Sequence, residues 1–395
     1  MPLSRNGNRQ PYNDIYAVAP VSLTYQRYST QPAQWWIGAA LRGLVAASGI
    51  PHTAYDGLSL ASFTLGPDPA IAMTQHFGMT TRWIDSMAMG GASGIASIRR
   101  AARALEAGDV DIVACIAADT NYTDTFRQLL AGFSRFSQDA VYPHGAGGAN
   151  ASFAHLTNAY MDRFGVTRED FGRICVAQRQ NALRNPRAIM KKPMSLDDYL
   201  GARPIVDPLG LFDCVMPVAG AEAFLLMRGE TMRTHGLTGA RLLSSIERHN
   251  AFPDDPVQYR GGWALDVDEL YGMAGVSPDD VDVVQTYDDY PVIVMMQFED
   301  LGFCPKGESA RFVSDNDLTI DGSFPHNTTG GQLSAGQAGA AGGHLGIVET
   351  IRQVTGSAGT TQVEGARLGL ASGFGMINYD RGLASGAVLF GGEGI

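Results

Sequence analysis

Basic charge is what this 395-residue chain has least of relative to its size: 29 Lys and Arg stand against 40 Asp and Glu, a formal net charge of -11. Binding along a phosphate backbone needs a cationic surface, so the balance argues against nucleic acid as a partner. Long apolar runs are also missing. No uninterrupted stretch reaches the roughly 18 residues of a membrane span, and the opening MPLSRNGNRQPYND has no apolar signal core. The expectation is a soluble cytoplasmic protein with no membrane contact. Cysteine is scarce and scattered: Cys115, Cys175, Cys214 and Cys304 form none of the close pairs of zinc ribbons or dithiol motifs, so no metal site is expected. Cys115 lies in the strand-like run DIVACIAAD and Cys175 in a helical pattern, where a free cysteine serves as a small core residue. There is no Walker-type phosphate loop either.

What the chain does have is core and glycine. With 45% hydrophobic and 17% charged residues it can bury a large interior and is long enough for two domains. Many of its 48 glycines fall in short clusters between apolar runs, the way an α/β protein writes its turns and close helix packing. Around residues 85–118, Gly90 and Gly91 make a turn, SGIASIRRAARALEAG carries helical spacing stopped by Gly108, and VDIVACIAA reads as a strand covered on both faces. A second module of the same plan comes late: a Gly-rich loop and helix in FPHNTTGGQLSAGQAGAAGGHLGIVETIRQVTG, then a strand in VEGARLGLASGFG. Residues 120–215 are more polar, with helical stretches punctuated by Pro186, Pro193, Pro204 and Pro208. They read as an insertion lying over the first half. FPDDPVQYRGGW, near 251–262, has the composition of a boundary and divides the chain into 1–255 and 256–395.

Four segments in this order, MGGASGIASIRRAARALEAGDVDIVACIAAD, PLGLFDCVMPVAGAEAFLLM, YDDYPVIVMMQFEDLGFCPKGE and HNTTGGQLSAGQAGAAGGHLG, resemble the thiolase superfamily over nearly the whole chain. They are similar in particular to the sterol-carrier-protein thiolases and lipid-transfer proteins that lack the nucleophilic cysteine. The resemblance implies two pseudo-symmetric βαβαβαββ halves in a five-layer α/β sandwich, a loop domain inserted in the first half, and a homodimer. It implies a coenzyme A thioester as substrate and no covalently bound cofactor. Carried over residue by residue, the thiolase nucleophile falls on Gly91, the Gly-His-Pro histidine on Gln337, and the second cysteine of the Cys-x-Gly-x-Gly motif on Ala371. Glutamine takes up no proton at neutral pH, so nucleophile, base and acid are all replaced. The remaining motif reads Tyr287-Asp288-Asp289-Tyr290. Gly90, Gly91, Asn327, Gly330 and Gly331 keep the loops whose backbones form the pocket.

Without a nucleophile there is no acyl-enzyme. A retro-aldol reaction needs none: a base takes the proton of a 3-hydroxyl, the Cα–Cβ bond breaks, and oxyanion donors hold the thioester enolate. Cysteine-less relatives that work as aldolases give this route a family precedent. The candidate proton-transfer groups are Tyr287, Asp288, Tyr290 and His144, with His144 as base and Tyr287 as hydrogen-bond donor. Adjacent strand residues point to opposite faces, so only one of Asp288 and Asp289 can face the pocket. Gly90, Gly91, His326, Asn327, Gln337 and His344 are the candidate substrate-binding residues, and Arg184, Lys191 and Lys192 could meet the nucleotide phosphates. Ser93 is a less favoured substitute nucleophile. The competing readings are a noncatalytic acyl-CoA-binding subunit and an acyltransferase with an unrecognised nucleophile. Relatives of this kind also imply a small OB-fold zinc-ribbon partner protein.

Overall fold

The computed structural model describes residues 10–132, 138–144, 148–378 and 381–395. Among these residues the strands are β1 (Ile15–Ser22), β2 (Gly57–Ala61), β3 (Trp83–Ser86), β4 (Ile112–Thr120), β5 (Pro204–Val206), β6 (Leu209–Gly210), β7 (Ala219–Arg228), β8 (Gly239–His249), β9 (Val283–Gln285), β10 (Leu368–Asn378) and β11 (Arg381–Gly391). β5 and β6 pair only with each other. The other nine form one sheet in the order β3-β2-β4-β7-β1-β8-β11-β10-β9.

The two-fold plan expected from the two glycine-rich modules is visible in that order. From the middle of the sheet outward the first half runs β1, β7, β4, β2, β3 and the second runs β8, β11, β10, β9. In each half the middle strands are antiparallel and the outer ones parallel. Where the first half has β3, the second has a single parallel bridge between Val284 and His326. The halves meet where β1 pairs antiparallel with β8. β8 precedes the boundary placed at 255/256, yet it hydrogen-bonds to β11 along most of its length.

Two helices occupy equivalent places between the halves, Ser93–Ala107 and Gly342–Val354, and they pack on each other and on both parts of the sheet. The approach is close enough that a Cβ on Gly94 would sit 2.4 Å from the Gly343 carbonyl oxygen. Glycine at this crossing is therefore a packing requirement. The helix Ser93–Ala107 stops at Gly108 in the left-handed region, as its sequence predicts. The outer layers are the helix Ala33–Ser48 over β1, β4 and β7, and Trp263–Ala274 over β8 and β11. This gives the α/β/α/β/α layering of the expected fold. β4 is buried along almost its whole length, which explains its run of Ile, Val and Ala without polar alternation.

One expectation is corrected. The insertion between β4 and β7 packs chiefly against the second half. Its helices Gly148–Phe164 and Arg168–Arg184 bury Phe153, Leu156, Tyr160, Phe171 and Ile174 in the same core as Met295, Phe298 and Val313. The apolar faces of these helices find their partners there, on the helices Pro291–Asp300 and Ser309–Asp315. Among the described residues no helix is long and apolar enough to cross a membrane.

Candidate functional site

The site forms where β9 leaves the sheet. After Gln285 the chain runs through Thr286, Tyr287, Asp288, Asp289 and Tyr290 into the helix Pro291–Asp300, whose Pro291 suits a first-turn position. Facing it is Gly91, in the turn before the central helix Ser93–Ala107. The Tyr287 ring fills the space that a side chain at 91 would need: a Cβ there would stand 2.0 Å from Tyr287 Cε2 and 2.4 Å from the Phe374 carbonyl oxygen. The position that the resemblance assigns to a nucleophile is thus taken by an aromatic ring from the opposite half.

The Tyr287 hydroxyl donates to Asp289 Oδ2 at 2.8 Å, and Gln337 Nε2 donates to Asp289 Oδ1 at 2.7 Å and lies 3.4 Å from the Tyr287 hydroxyl. Tyr287, Asp289 and Gln337 therefore form one closed hydrogen-bonded cluster. Burial pushes the Asp289 carboxyl up to about 7, against the pull of the bonds from Tyr287 and Gln337. Burial and the neighbouring carboxylate push Tyr287 well above the usual phenol range, so its hydroxyl keeps its proton. Asp289 as a residue is partly exposed, while its carboxyl is held among Tyr287 and Gln337.

Asp288 points the other way. It accepts from the backbone N–H groups of Gln332 at 2.9 Å and Leu333 at 3.2 Å, at the start of the helix Gly331–Ala335. It is buried, and burial raises its carboxyl to about 8. Of the two adjacent aspartates, the structure brings Asp289 to Tyr287 and uses Asp288 to tie the motif to the glycine-rich loop. The signal for Asp289 was present in the sequence, since residues 287 and 289 share a face in extended backbone.

The other candidates are placed as follows. Tyr290 is buried, donates to Asn150 Oδ1 at 2.5 Å and stacks on Phe153 with centroids 4.5 Å apart, both partners coming from the insertion. His144 is exposed on the turn Tyr142–His144, outside the hydrogen bonds of the cluster. His326 is buried against Phe298 with Nε2 2.8 Å from Thr286 Oγ1, and burial pushes its pKa down to about 3. His344 is buried beside Phe224 and pushed down to about 4 for the same reason. Both rings are neutral at physiological pH. Gly90 takes a positive φ of 53°. Asn327, also left-handed at φ 42°, lines with Thr286, Tyr287, Asp288 and Gln332 a cavity of about 10 Å³, the size of one water. Arg184 bonds Asp321 at 2.6 Å and Lys191 bonds the Asn185 carbonyl at 2.6 Å, so both are engaged within the protein.

No thiol is activated. All four cysteines are free; burial raises Cys115 and Cys175, which lie in the core, and pushes Cys214 and Cys304 to about 12. Ser93 is fully buried and its Oγ accepts the Met89 N–H at 3.2 Å, and among the described residues no histidine or carboxylate is hydrogen-bonded to it. What remains is a carboxylate poised near neutrality next to a protonated phenol and an amide donor, an arrangement suited to proton transfer and oxyanion stabilisation.

Comparison with known proteins agrees with the fold. The Thiolase C-terminal domain-like family matches residues 260–384. The chain is 29% identical to a steroid side-chain-cleaving aldolase of Thermomonospora curvata over 334 residues, covering 80% of this chain and 84% of that one. It is 29% identical to a 17-hydroxy-3-oxo-4-pregnene-20-carboxyl-CoA lyase of Mycobacterium tuberculosis, covering 80% and 85%. Among solved structures, the Ltp2-ChsH2(DUF35) aldolase superposes with a TM-score of 0.84 at 24% identity over 96% of this chain and 98% of that one. With its mirrored sheet and its paired central helices, the chain has the thiolase fold, and its residues 260–384 match the Thiolase C-terminal domain-like family.

Proposed function

We propose that the chain is a carbon–carbon lyase that cleaves a 3-hydroxyacyl-CoA by a retro-aldol route, with no acyl-enzyme. The observation that carries this is the Tyr287 ring seated against Gly91, its hydroxyl bonded to Asp289 and Gln337 where a thiolase needs its thiol and its base. Asp289 takes the proton of the substrate's 3-hydroxyl. The freed electron pair becomes the carbonyl of the leaving aldehyde or ketone, the Cα–Cβ bond breaks, and its electrons form the thioester enolate. Neutralising Asp289 weakens its bond from Tyr287, so that hydroxyl turns to the enolate oxygen, and Cα takes the proton back from Asp289, which restores the carboxylate. The names of the relatives in Thermomonospora curvata and Mycobacterium tuberculosis point the same way. The raised thiols and the capped Ser93 speak against an acyltransferase with a hidden nucleophile.

The proposal extends to a cytoplasmic homodimer. β3 is a partly exposed edge strand with Trp83 on it, and among the described residues no strand pairs with its outer side. A small OB-fold zinc-ribbon partner would close the substrate channel; one solved relative carries ChsH2(DUF35) in its name, and the acidic surface here favours a partner with a basic docking face. The test is a panel of 3-hydroxyacyl-CoAs offered to the chain alone and co-expressed with such a partner, scored for an aldehyde or ketone together with a shorter acyl-CoA. Cleavage lost in Asp289→Asn supports the assignment. A stable acyl adduct on the intact protein would overturn it.

A further inference from the structure

Tyr287 sits where the chain has already left the sheet. β9 ends at Gln285, so the peptide groups of Tyr287 have no ladder partner, although the residue is buried and every buried N–H and C=O needs one. The partner is a side chain. Gln297, fully buried on the helix Pro291–Asp300, lays its carboxamide against the Tyr287 backbone: Nε2 donates to the Tyr287 carbonyl at 2.7 Å, and Oε1 accepts the Tyr287 N–H at 3.3 Å. Its remaining capacity is also used, with Nε2 donating to the Ile293 carbonyl at 2.9 Å and Oε1 accepting from Ser372 Oγ at 2.5 Å. Two N–H bonds and two lone pairs are all that a primary amide has. No rotation of the amide leaves this set intact. Ser372 in turn lies on β10, so the clamp is referenced to the sheet through one hydroxyl and to the helix through the Gln297 backbone.

The clamp holds the one residue whose height over Gly91 must be right. The ring is fixed from below by Gly91, the hydroxyl at its far end by Asp289 and Gln337, and the backbone at its near end by Gln297. We infer that Gln297, oriented by Ser372, is a positioning residue that sets the Tyr287 hydroxyl for catalysis. This rests on the reading of Tyr287 above. Gln297 makes no hydrogen bond to Asp289 or Gln337, so its direct link to the cluster is its pair of bonds to the Tyr287 backbone.

The experiment is a double-mutant cycle, using the full chain with its partner protein where one is needed and the best-turned-over 3-hydroxyacyl-CoA of the panel. Gln297→Met keeps roughly the volume and removes every hydrogen bond. It is expected to lower kcat about tenfold or more with KM little changed, and to cost nothing further once Tyr287 is already phenylalanine. Ser372→Ala, which leaves Gln297 in place, is expected to show a smaller loss in the same direction and covers the case in which Gln297→Met does not fold. A crystal structure of whichever variant folds should show the Tyr287 hydroxyl moved off Asp289, a readout independent of turnover. Unchanged kcat and an unmoved hydroxyl would overturn the inference, as would an equal loss in the Tyr287→Phe background, which marks a general packing role. If Tyr287→Phe itself cleaves at the wild-type rate, the reading of the site fails together with the inference. A slow Tyr287→Phe beside a fast Gln297→Met sinks the inference alone.

Discussion

Adding one methyl at Gly91 tests the site more directly than removing any of its polar groups. In Gly91→Ala the new Cβ would stand 2.0 and 2.1 Å from Tyr287 Cε2 and Cζ and 2.4 Å from the Phe374 carbonyl oxygen. Ordinary carbon contacts begin near 3.5 Å, so the ring must retreat by roughly 1.5 Å or the turn must move. The carbonyl belongs to β10, paired with β11 on one side, and gives little. The ring is the softer of the two, but its hydroxyl is tied to Asp289 and Gln337. Overpacking a tight interior costs about 1–3 kcal/mol, and a displacement of this size at a reacting group costs about 10²-fold in rate. The expected outcome is a folded but less stable protein, its midpoint lower by several degrees, with kcat reduced about a hundredfold. Calorimetry and steady-state cleavage measure the two halves of the statement. Gly91→Cys is expected to behave worse and to gain no thiolase activity, because Gln337 stands at the position of the histidine that would deprotonate its thiol and takes up no proton. A Gly91→Ala protein with wild-type midpoint and wild-type kcat would refute the reasoning outright, since it would mean that the ring does not need its seat.

Other consequences can be checked in the same preparations. Asp289 must be ionised to accept a proton and its carboxyl lies at about 7, so kcat is expected to rise with pH through neutrality and level off above it; Asp289→Asn should lose the limb and about 10²–10⁴ in rate. Asp119, Glu222 and Asp288 are buried carboxyls raised to about 6, 7 and 8. The folded state holds their protons more tightly than the unfolded chain does, so stability should fall as pH rises from about 4 to 8, and melting at pH 8.5 should come below melting at pH 6. A higher midpoint at pH 8.5 contradicts the assignment. Asn150→Ala breaks the bond from Tyr290 and is expected to raise KM more than it lowers kcat, since its helix borders the site.

How much of this could be read from the residues depended on whether the cause was local. The helix Ser93–Ala107, its stop at Gly108 and the buried strand after it are written in spacing and in a left-handed glycine, and they were legible. The two-fold plan was legible because glycine clusters repeat where the two central helices touch. The face on which the insertion lies was not, because its amphipathic helices state that they need an apolar partner without naming which half supplies it. Within the site, the glycine at the nucleophile's position and the candidacy of Tyr287 both came from position in a motif. The choice between Asp288 and Asp289 turned on where the glycine-rich loop places its N–H groups, and those are more than forty residues away, at Gln332 and Leu333. His326 and His344 were candidate substrate-binding residues in the sequence; that both rings are buried and held neutral is something only the fold reveals.

The short ladder from Tyr16–Val18 to Gly239–Arg241 bears on how the chain can be made. β1 is made before the insertion, yet both of its neighbours, β7 and β8, are translated only after it. Until they arrive it is an unsatisfied edge, and an unsatisfied edge templates association with other chains. A fragment ending anywhere before residue 239 retains that edge, and one beginning after it has lost the strand that covers β8. The protein therefore has no clean cut: two-piece expression should give soluble material only when both pieces are produced together, each serving as the other's missing strand.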